Sequence, residues 1–377
     1  MSIKQNIPVF DLKRQFRGIK KEVLNSAQEV LGTGSYILGK NVSSFEQEFA
    51  EYCGAKYAIG VGSGTDALKI ALRACGIKPD QEVITTPFTF VATTEAIDNV
   101  GARIVFADID LASYCFDPRE LEKKITKKTK AILCVHLYGQ PCNMRALTKL
   151  ARKYNLKIIE DCAQATGAEY RGKKVGSLGD VGCFSFFPTK NLGGCGDGGM
   201  IVTNNKQIAQ RARRLRIHGS RSKYDHVAHG YNSRLDELQA AILRVKLRQL
   251  DKWNQARRDK AGYYNQRLGA LEEQGYIIRP REQQDTKHVY HLYILRVKNR
   301  SRLKDFLKSR GISTSYHYPI PLHLQRVYKH LGYRRGDFPR SELAAREIAT
   351  FPFYPELMKK EIDYVVQAMF QFFEGQR

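Results

Sequence analysis

Lys190 sits in SFFPTKNLGGCGDGG, a few residues after Ser185 and just before a glycine-rich turn. Nearly all of the 62 lysines and arginines must be solvated surface charges, so only its neighbours single this amine out. A lysine nucleophile needs a carbonyl partner, a lowered pKa and an electron sink close by. Asp161, in EDCAQATGA together with Gln164, offers a carboxylate that can keep a pyridine nitrogen protonated. Such an amine and acid are the pair that pyridoxal-phosphate chemistry requires, although a carboxylate at a strand end is more often a helix cap. Two further segments suit the same chemistry. GSGTDAL, Gly62 to Leu68, is a small-residue loop opening a helix, where amides and the positive helix end would hold a phosphate. It lacks the G-x-G-x-x-G and G-K-[ST] spacings, and alone it is only a turn. PFTFVATT places Phe88 and Phe90 where a ring could cover a planar cofactor, or simply pack in the core.

All four segments follow a predicted strand, and in open parallel sheets ligands collect at the carboxyl ends of strands. From about 56 to 203, short apolar, β-branched runs alternate with helical patterns, which predicts βαβ units around a mostly parallel sheet. The runs are KYAIGVG (56–62), EVITT (82–86), ARIVFAD (102–108), KAILCVH (130–136), LKIIED (156–161), VGCFSF (181–186) and GGMIVT (198–203). TDALKIALRAC and MRALTKLARKY are helical segments between them, and Ser43 with Glu46 reads as a capping box ahead of FEQEFAEYC. From 233, SRLDELQAAILRVKLRQLDKWNQARRDKAGYYNQRL keeps apolar residues at helical spacing and predicts a long bridging helix. Beyond it, HVYHLYILRV (288–297) and ISTSYHY (312–318) read as strands, and SRLKDFLKSR, SELAAREIAT and EIDYVVQAMFQFF as helices. The expected architecture is α/β. A large domain over 1–272 holds a mostly parallel seven-stranded sheet flanked by helices, and a small C-terminal α+β domain covers 273–377, with the polar stretch 272–287 at the boundary.

At 377 residues the chain exceeds one ordinary domain, and 42% hydrophobic with 27% charged residues is a globular composition. The start has no apolar h-region with a small-residue cleavage site, and no stretch is apolar for long enough to span a bilayer. The expected location is the cytoplasm. Eight scattered cysteines without C-x-x-C spacing read as reduced, mostly buried thiols, and no metal site is expected. The net charge of +24 admits nucleic acid, an acidic membrane surface or an anionic small substrate. Its densest runs, KKITKKTK from Lys123 and RARRLR from Arg211, read as solvated helix faces. No helix-turn-helix, zinc-finger or RNP signature stands beside them, which disfavours nucleic acid.

In order along the chain, GSYILGKNVSSFEQEFAEYCG, VGSGTDAL, TPFTFVAT, GARIVFADID, VHLYGQPCNM, IIEDCAQATGA, GDVGCFSFFPTKNLGGCGDGGMIVT, HGYNSRLDELQAAIL and YHYPIPLHLQ span almost its whole length. Together they resemble the sugar aminotransferases of the DegT/DnrJ/EryC1/StrS family, within pyridoxal-phosphate fold type I. The resemblance implies that Lys190 is the Schiff-base lysine and Asp161 the partner of the ring nitrogen, with Gln164 by the ring hydroxyl and Phe90 stacked on the ring. Gly64, Thr65, Asp66 and Ser185 would hold the cofactor phosphate. Asn232 is similar to the residue that family members insert from a neighbouring subunit to complete that site, which implies a homodimer with shared active sites. Its plainer reading, with Ser233, is an N-cap of the long helix. His317, Tyr318 and His323 fall in a segment that lies near the site mouth in the family and would approach the sugar, as would Phe187, where family members often carry Tyr or His. His136, His218, His226 and His229 receive no role.

The resemblance further implies ping-pong amino transfer from L-glutamate to a keto-sugar nucleotide, the cofactor alternating between pyridoxal 5'-phosphate and pyridoxamine 5'-phosphate. Related dehydratases replace the lysine with histidine, so the retained Lys190 favours amino transfer. GYNSRLDELQAAILRVKL and YHYPIPLHLQ are most similar to enzymes making 3-amino-deoxyhexoses on thymidine diphosphate, which points to a dTDP-3-keto-6-deoxyhexose. Two other readings compete: another fold-type I enzyme such as a nucleotide-sugar dehydratase, and a nonenzymatic regulator that uses the positive charge to hold nucleic acid.

Overall fold

The computed structural model describes residues 6–375. The seven runs read as strands form one sheet: β1 (Tyr57–Val61), β2 (Glu82–Thr85), β3 (Arg103–Phe106), β4 (Thr129–Val135), β5 (Lys157–Asp161), β6 (Val181–Ser185) and β7 (Gly199–Thr203). Their order across the sheet is β1, β7, β6, β5, β4, β2, β3; β7 runs antiparallel to both neighbours and the other pairings are parallel. The fold is α/β, with helices on both faces of this sheet.

Successive strand residues serve opposite faces. Ile59, Ile159, Cys183 and Ile201 pack with α3 (Gly64–Ala74) and α4 (Ala92–Asp98), whereas Ala58, Phe184 and Met200 pack with α2 (Lys40–Cys53) and α7 (Glu237–Leu247). Burial on both sides explains why the strands read as near-continuous apolar runs. Between these helices in the chain come α5 (Met144–Tyr154), beneath β5, and α6 (Lys206–Leu215). The RARRLR run falls largely on α6, which buries Ile208, Ala212 and Leu215, but KKITKKTK is a turn leading into β4 and not a helix face.

Several expectations need correction. Ser43 does not cap α2: the helix begins at Lys40, and the Ser43 hydroxyl donates to the Lys40 carbonyl at 2.9 Å. Glu46 instead accepts from the Gly60 amide at 2.8 Å and pairs with Arg216. The first amides of α2 are satisfied from another helix, since the Glu237 carboxylate accepts from Asn41 and Val42 at 2.8 Å each. A negative charge there also complements the helix dipole. The long bridging helix is two, α7 and α8 (Leu250–Arg267), parted at Arg248 and Gln249. The N-cap position of α7 is Asp236, so Asn232 and Ser233 precede the helix without capping it.

The C-terminal elements form an antiparallel sheet of β8 (Ile277–Ile278), β9 (Tyr293–Val297) and β10 (Ile348–Phe351), flanked by α9 (Arg300–Ser309) and α11 (Lys359–Glu374). Helix α10 (Pro339–Glu347) stops where β10 starts, so the IAT end of the expected helix is strand, in keeping with β-branched Ile348 and Thr350. Residues 312–318 contribute isolated bridges, Ile312 to Ile7 and Ser315 to Thr350, and not a continuous strand. Helix α8 buries Ala261 and Tyr264 in the same core as β9 and α11. An unexpected helix, α1 (Leu12–Thr33), packs Ile19 and Val23 on Ile242, Val245 and Trp253, leaving Leu24 and Leu31 exposed. All eight cysteines are free and six are buried. No helix among the described residues is long and apolar enough to cross a membrane.

The cross-helix cap gives a direct test. Glu237→Ala leaves two α2 amides without their acceptor and should lower unfolding free energy by about 2 kcal/mol in urea titrations, with Glu237→Gln retaining part of the loss-free stability. An unchanged midpoint for the alanine variant would show that water replaces the carboxylate.

Candidate active site

A cavity of about 450 Å³ opens where β1, β4, β5 and β6 end, and Asp161, Ser185 and Lys190 all line it. Asp161 is the last residue of β5, two positions beyond Ile159, and therefore shares the sheet face covered by α3 and α4. Its buried carboxylate accepts from the Thr93 hydroxyl at 2.9 Å and from the Ala163 amide at 3.1 Å. The Thr93 hydroxyl lies 3.0 Å from that of Thr89. Burial raises the Asp161 pKa, opposed by these two donors and by the charge of Lys190. A carboxylate so enclosed is held ionised best by a cationic partner, and a protonated pyridine nitrogen is one.

Lys190 follows β6 in a loop whose next residue, Asn191, is anchored in the interior by Asn254 and His291. Burial lowers the pKa of the Lys190 amine to about 8, with the Asp161 charge acting the other way. The side chain is thus a base within reach of neutral pH.

The remaining wall fits a phosphate. Ser63 caps α3, its hydroxyl accepting from the Asp66 amide at 3.1 Å, while the amides of Gly64 and Thr65 in the first turn have no intrahelical acceptor. Gly64 permits a close approach of Ser185, because a Cβ at position 64 would stand 2.6 Å from the Ser185 Cβ. These amides, the helix end and the Ser185 hydroxyl form a cradle for an anion. Asp66 is not part of it. Its carboxylate is turned to Ser233 at 2.8 Å and Lys69 at 2.7 Å, and its amide already belongs to Ser63. Ser233 also accepts from the Gly62 amide at 3.0 Å, so the segment before α7 staples the loop in place. Asn232 is exposed and off this chain's cavity wall, held through a backbone bridge to Ile217.

Phe90 and Phe187 line the cavity with about half their surface free, whereas Phe88 is a core residue. Gln164 accepts from the Tyr138 amide at 2.8 Å and donates to the Tyr318 hydroxyl at 3.1 Å. Tyr318 lies beside Phe90, their ring centres 5.7 Å apart. His317 joins the wall, its Nδ1 2.8 Å from the Thr350 hydroxyl and its carbonyl accepting from Tyr138; burial and the charge of Lys190 push its pKa down to about 4. His323 does not reach the cavity. Its ring is buried against Phe338 and its Nε2 lies 3.2 Å from Glu342.

Thr93, Phe10 and His291 line the cavity without having been singled out. Thr93 was within reach of sequence reading, as it lies in PFTFVATT, in the first turn of a helix beside the β5 end. His291 carried no signal, lying inside an apolar run read only as strand.

The lowered lysine pKa is measurable without cofactor. Labelling of Lys190 by an amine-selective reagent, followed by peptide mass spectrometry, should rise with pH through a midpoint near 8 and not near the ordinary 10.5. Asp161→Asn removes the charge that favours the ammonium form, so its midpoint should lie lower still; a rise in that variant contradicts the coupling.

A model of the DegT/DnrJ/EryC1/StrS aminotransferase family matches residues 17–370. The chain is 47% identical to a pleiotropic regulatory protein of Geobacillus stearothermophilus, covering 98% of this chain and 99% of that one. It is 46% identical to the dTDP-3-amino-3,6-dideoxy-alpha-D-galactopyranose transaminase of Aneurinibacillus thermoaerophilus, covering 96% and 98%. Among crystal structures, DesV of S. venezuelae in complex with a ketimine intermediate superposes with a TM-score of 0.95 at 42% identity, over 97% of this chain and 98% of that one. NtdA of Bacillus subtilis with bound cofactor PMP gives 0.92 at 33% identity, over 97% and 85%. A family match over nearly the whole length, joined to a cavity lined by Lys190, Asp161 and Ser185, places this chain in the DegT/DnrJ/EryC1/StrS aminotransferase family as a pyridoxal-phosphate-dependent sugar aminotransferase.

Proposed function

We propose that this enzyme transfers the amino group of L-glutamate to C3 of a cytoplasmic dTDP-3-keto-6-deoxyhexose in two half-reactions, with Lys190 as the Schiff-base lysine. One observation carries the reading: Lys190, Asp161 and the Gly64–Thr65–Ser185 cradle line a single cavity. The likeness to a transaminase named for a 3-amino sugar on dTDP supports the carbon and the nucleotide.

When bound, pyridoxal phosphate supplies an aldehyde carbon that carries the amino group and a ring that spreads the charge left by proton removal. Asp161, backed by Thr93 and Ala163, keeps the ring nitrogen protonated. Gly64, Thr65 and Ser185 would hold the phosphate, and Phe90 and Gln164, on the same cavity wall, would contact the ring. Lys190, its pKa near 8, would take the proton from the donor α-carbon as a base and deliver it as an acid to the cofactor's aldehyde carbon, which is the shift that amino transfer requires. Phe187, His317 and Tyr318 form the wall toward the sugar. Lys190→Ala should abolish repeated turnover with glutamate and a 3-keto nucleotide sugar, by about four orders of magnitude. Parallel initial-rate lines and an NMR-located amine at C3 are expected from the wild type; faster amination of a 4-keto sugar would move the reaction to C4.

We further hold that the enzyme is a homodimer in which Asn232 of each protomer completes its neighbour's phosphate site. Exposed Leu24, Leu31, Tyr36 and Ile37 give α1 and the following turn an apolar outer surface, and Asn232 is exposed beside its own cavity and not in it. Mixing Lys190→Ala with Asn232→Asp chains should then restore about a quarter of wild-type activity, since each mixed dimer holds one intact site. No restoration after subunit exchange means that the sites are not shared.

A further inference from the structure

His291 is only 3% exposed, yet its ring is part of the cavity wall that holds Lys190. A chain of hydrogen bonds decides which ring nitrogen carries hydrogen. Asn254 Nδ2 donates to the Thr166 carbonyl at 3.0 Å, which leaves Asn254 Oδ1 to accept from Asn191 Nδ2 at 2.8 Å. The same Asn191 nitrogen donates to the Val289 carbonyl at 3.2 Å. Asn191 therefore presents Oδ1 to His291 Nδ1, 3.1 Å away. Backbone carbonyls only accept, so each amide orientation is fixed and the usual ambiguity of side-chain amides is removed. His291 must donate from Nδ1.

Burial, with the charges of Lys190 and Arg257, holds the ring neutral. Nε2 is then a bare lone pair, and among the described residues no donor is bonded to it. The ring is held firmly: Phe10 stacks on it at 6.4 Å, and Arg257 donates to the His291 carbonyl at 3.1 Å.

We propose that His291 Nε2 accepts a hydrogen bond from a sugar hydroxyl on a carbon next to the reacting one, and so selects the amino acceptor. The proposal rests on the amino-transfer reading above. Both substrates use this cavity in turn. An amino acid brings a carboxylate beside its reacting carbon, an acceptor that a lone pair repels. A sugar brings hydroxyl donors, and a buried acceptor left without one is unfavourable.

Histidine-selective ¹⁵N NMR tests the first half without turnover. His291, assigned by its loss in His291→Asn, should show hydrogen on Nδ1 and none on Nε2 near neutral pH, with or without pyridoxal phosphate. Hydrogen on Nε2 overturns the proposal. Single-turnover absorbance tests the second half. His291→Asn keeps a donor for Asn191 and lacks the second nitrogen, whereas His291→Gln restores an oxygen near the Nε2 position. In His291→Asn, which keeps the bond to Asn191, the glutamate half-reaction should stay within about twofold of wild type while the sugar half-reaction slows about 10- to 100-fold; in His291→Gln the ratio of sugar to glutamate rates should recover part of that loss. On a keto sugar lacking the flanking hydroxyl, wild type and His291→Asn should react alike. Equal slowing of both half-reactions, or equal losses on both sugars, refutes the contact. Thermal melting and pyridoxal-phosphate affinity matching wild type confirm that the variants are folded. If the wild type aminates no keto sugar, the functional reading falls and takes the proposal with it; if it does and the variants behave as in either refuting case, only the proposal falls.

Discussion

Asp161 and Lys190 line one cavity, and burial acts against the charged form of each. The carboxylate is pushed toward protonation and the ammonium toward its neutral amine, while the charge on either opposes the shift in the other. Donors decide the balance. Thr93 and Ala163 serve the carboxylate, whereas the lysine amine keeps its lone pair within reach near pH 8. A cavity able to hold a cationic ring against an acid and an uncharged amine near a carbonyl carbon depends on that asymmetry.

The sheet supplies the asymmetry through its pleat. Glu160 and Asp161 are consecutive in β5 and face opposite sides. Glu160 accepts from the amides of Gly176, Leu178 and Gly179 and lies 3.0 Å from His136 Nε2, so it is spent on fixing a turn. Asp161, one residue on, faces the cavity with fewer donors. His136 and Cys162, clustered with Glu160, take part in that buried framework, His136 Nδ1 accepting from the Cys142 amide at 3.0 Å. Neighbouring acids thus have opposite uses because one strand presents them to different surroundings.

The other half of the cavity comes from far along the chain. Asn254 on α8 reaches through Asn191 to His291, and Tyr138 and Gln164 at the strand ends hold His317 and Tyr318. These links tie the loop carrying Lys190 to the wall that faces the sugar, so the amine and the substrate surface are positioned by one connected set of bonds. Such a network is rigid because each amide in it is anchored by a backbone carbonyl or amide.

Seven strands, their parallel character and the placing of Lys190, Asp161, Ser185 and the Gly64–Thr65 loop at strand ends were legible in the sequence, because burial on both sheet faces leaves continuous apolar runs and chemistry collects where they stop. Local patterns failed where partners from elsewhere intervene. Ser43 and Glu46 have the spacing of a cap, yet Glu237 fills that role from another helix; Asp66 and His323 lie in telling segments, yet Ser233, Lys69 and Glu342 draw them aside. Helix α1 escaped notice because only part of its apolar surface is covered within the chain. His291 and Thr93 gained their place through contacts with Asn191 and Asp161, about a hundred and about seventy residues away. Sequence determined which groups can do chemistry and at which sheet edge; tertiary structure alone decided which lone pairs, amides and carboxylates remain free there, since that depends on hydrogen bonds between residues distant in the chain.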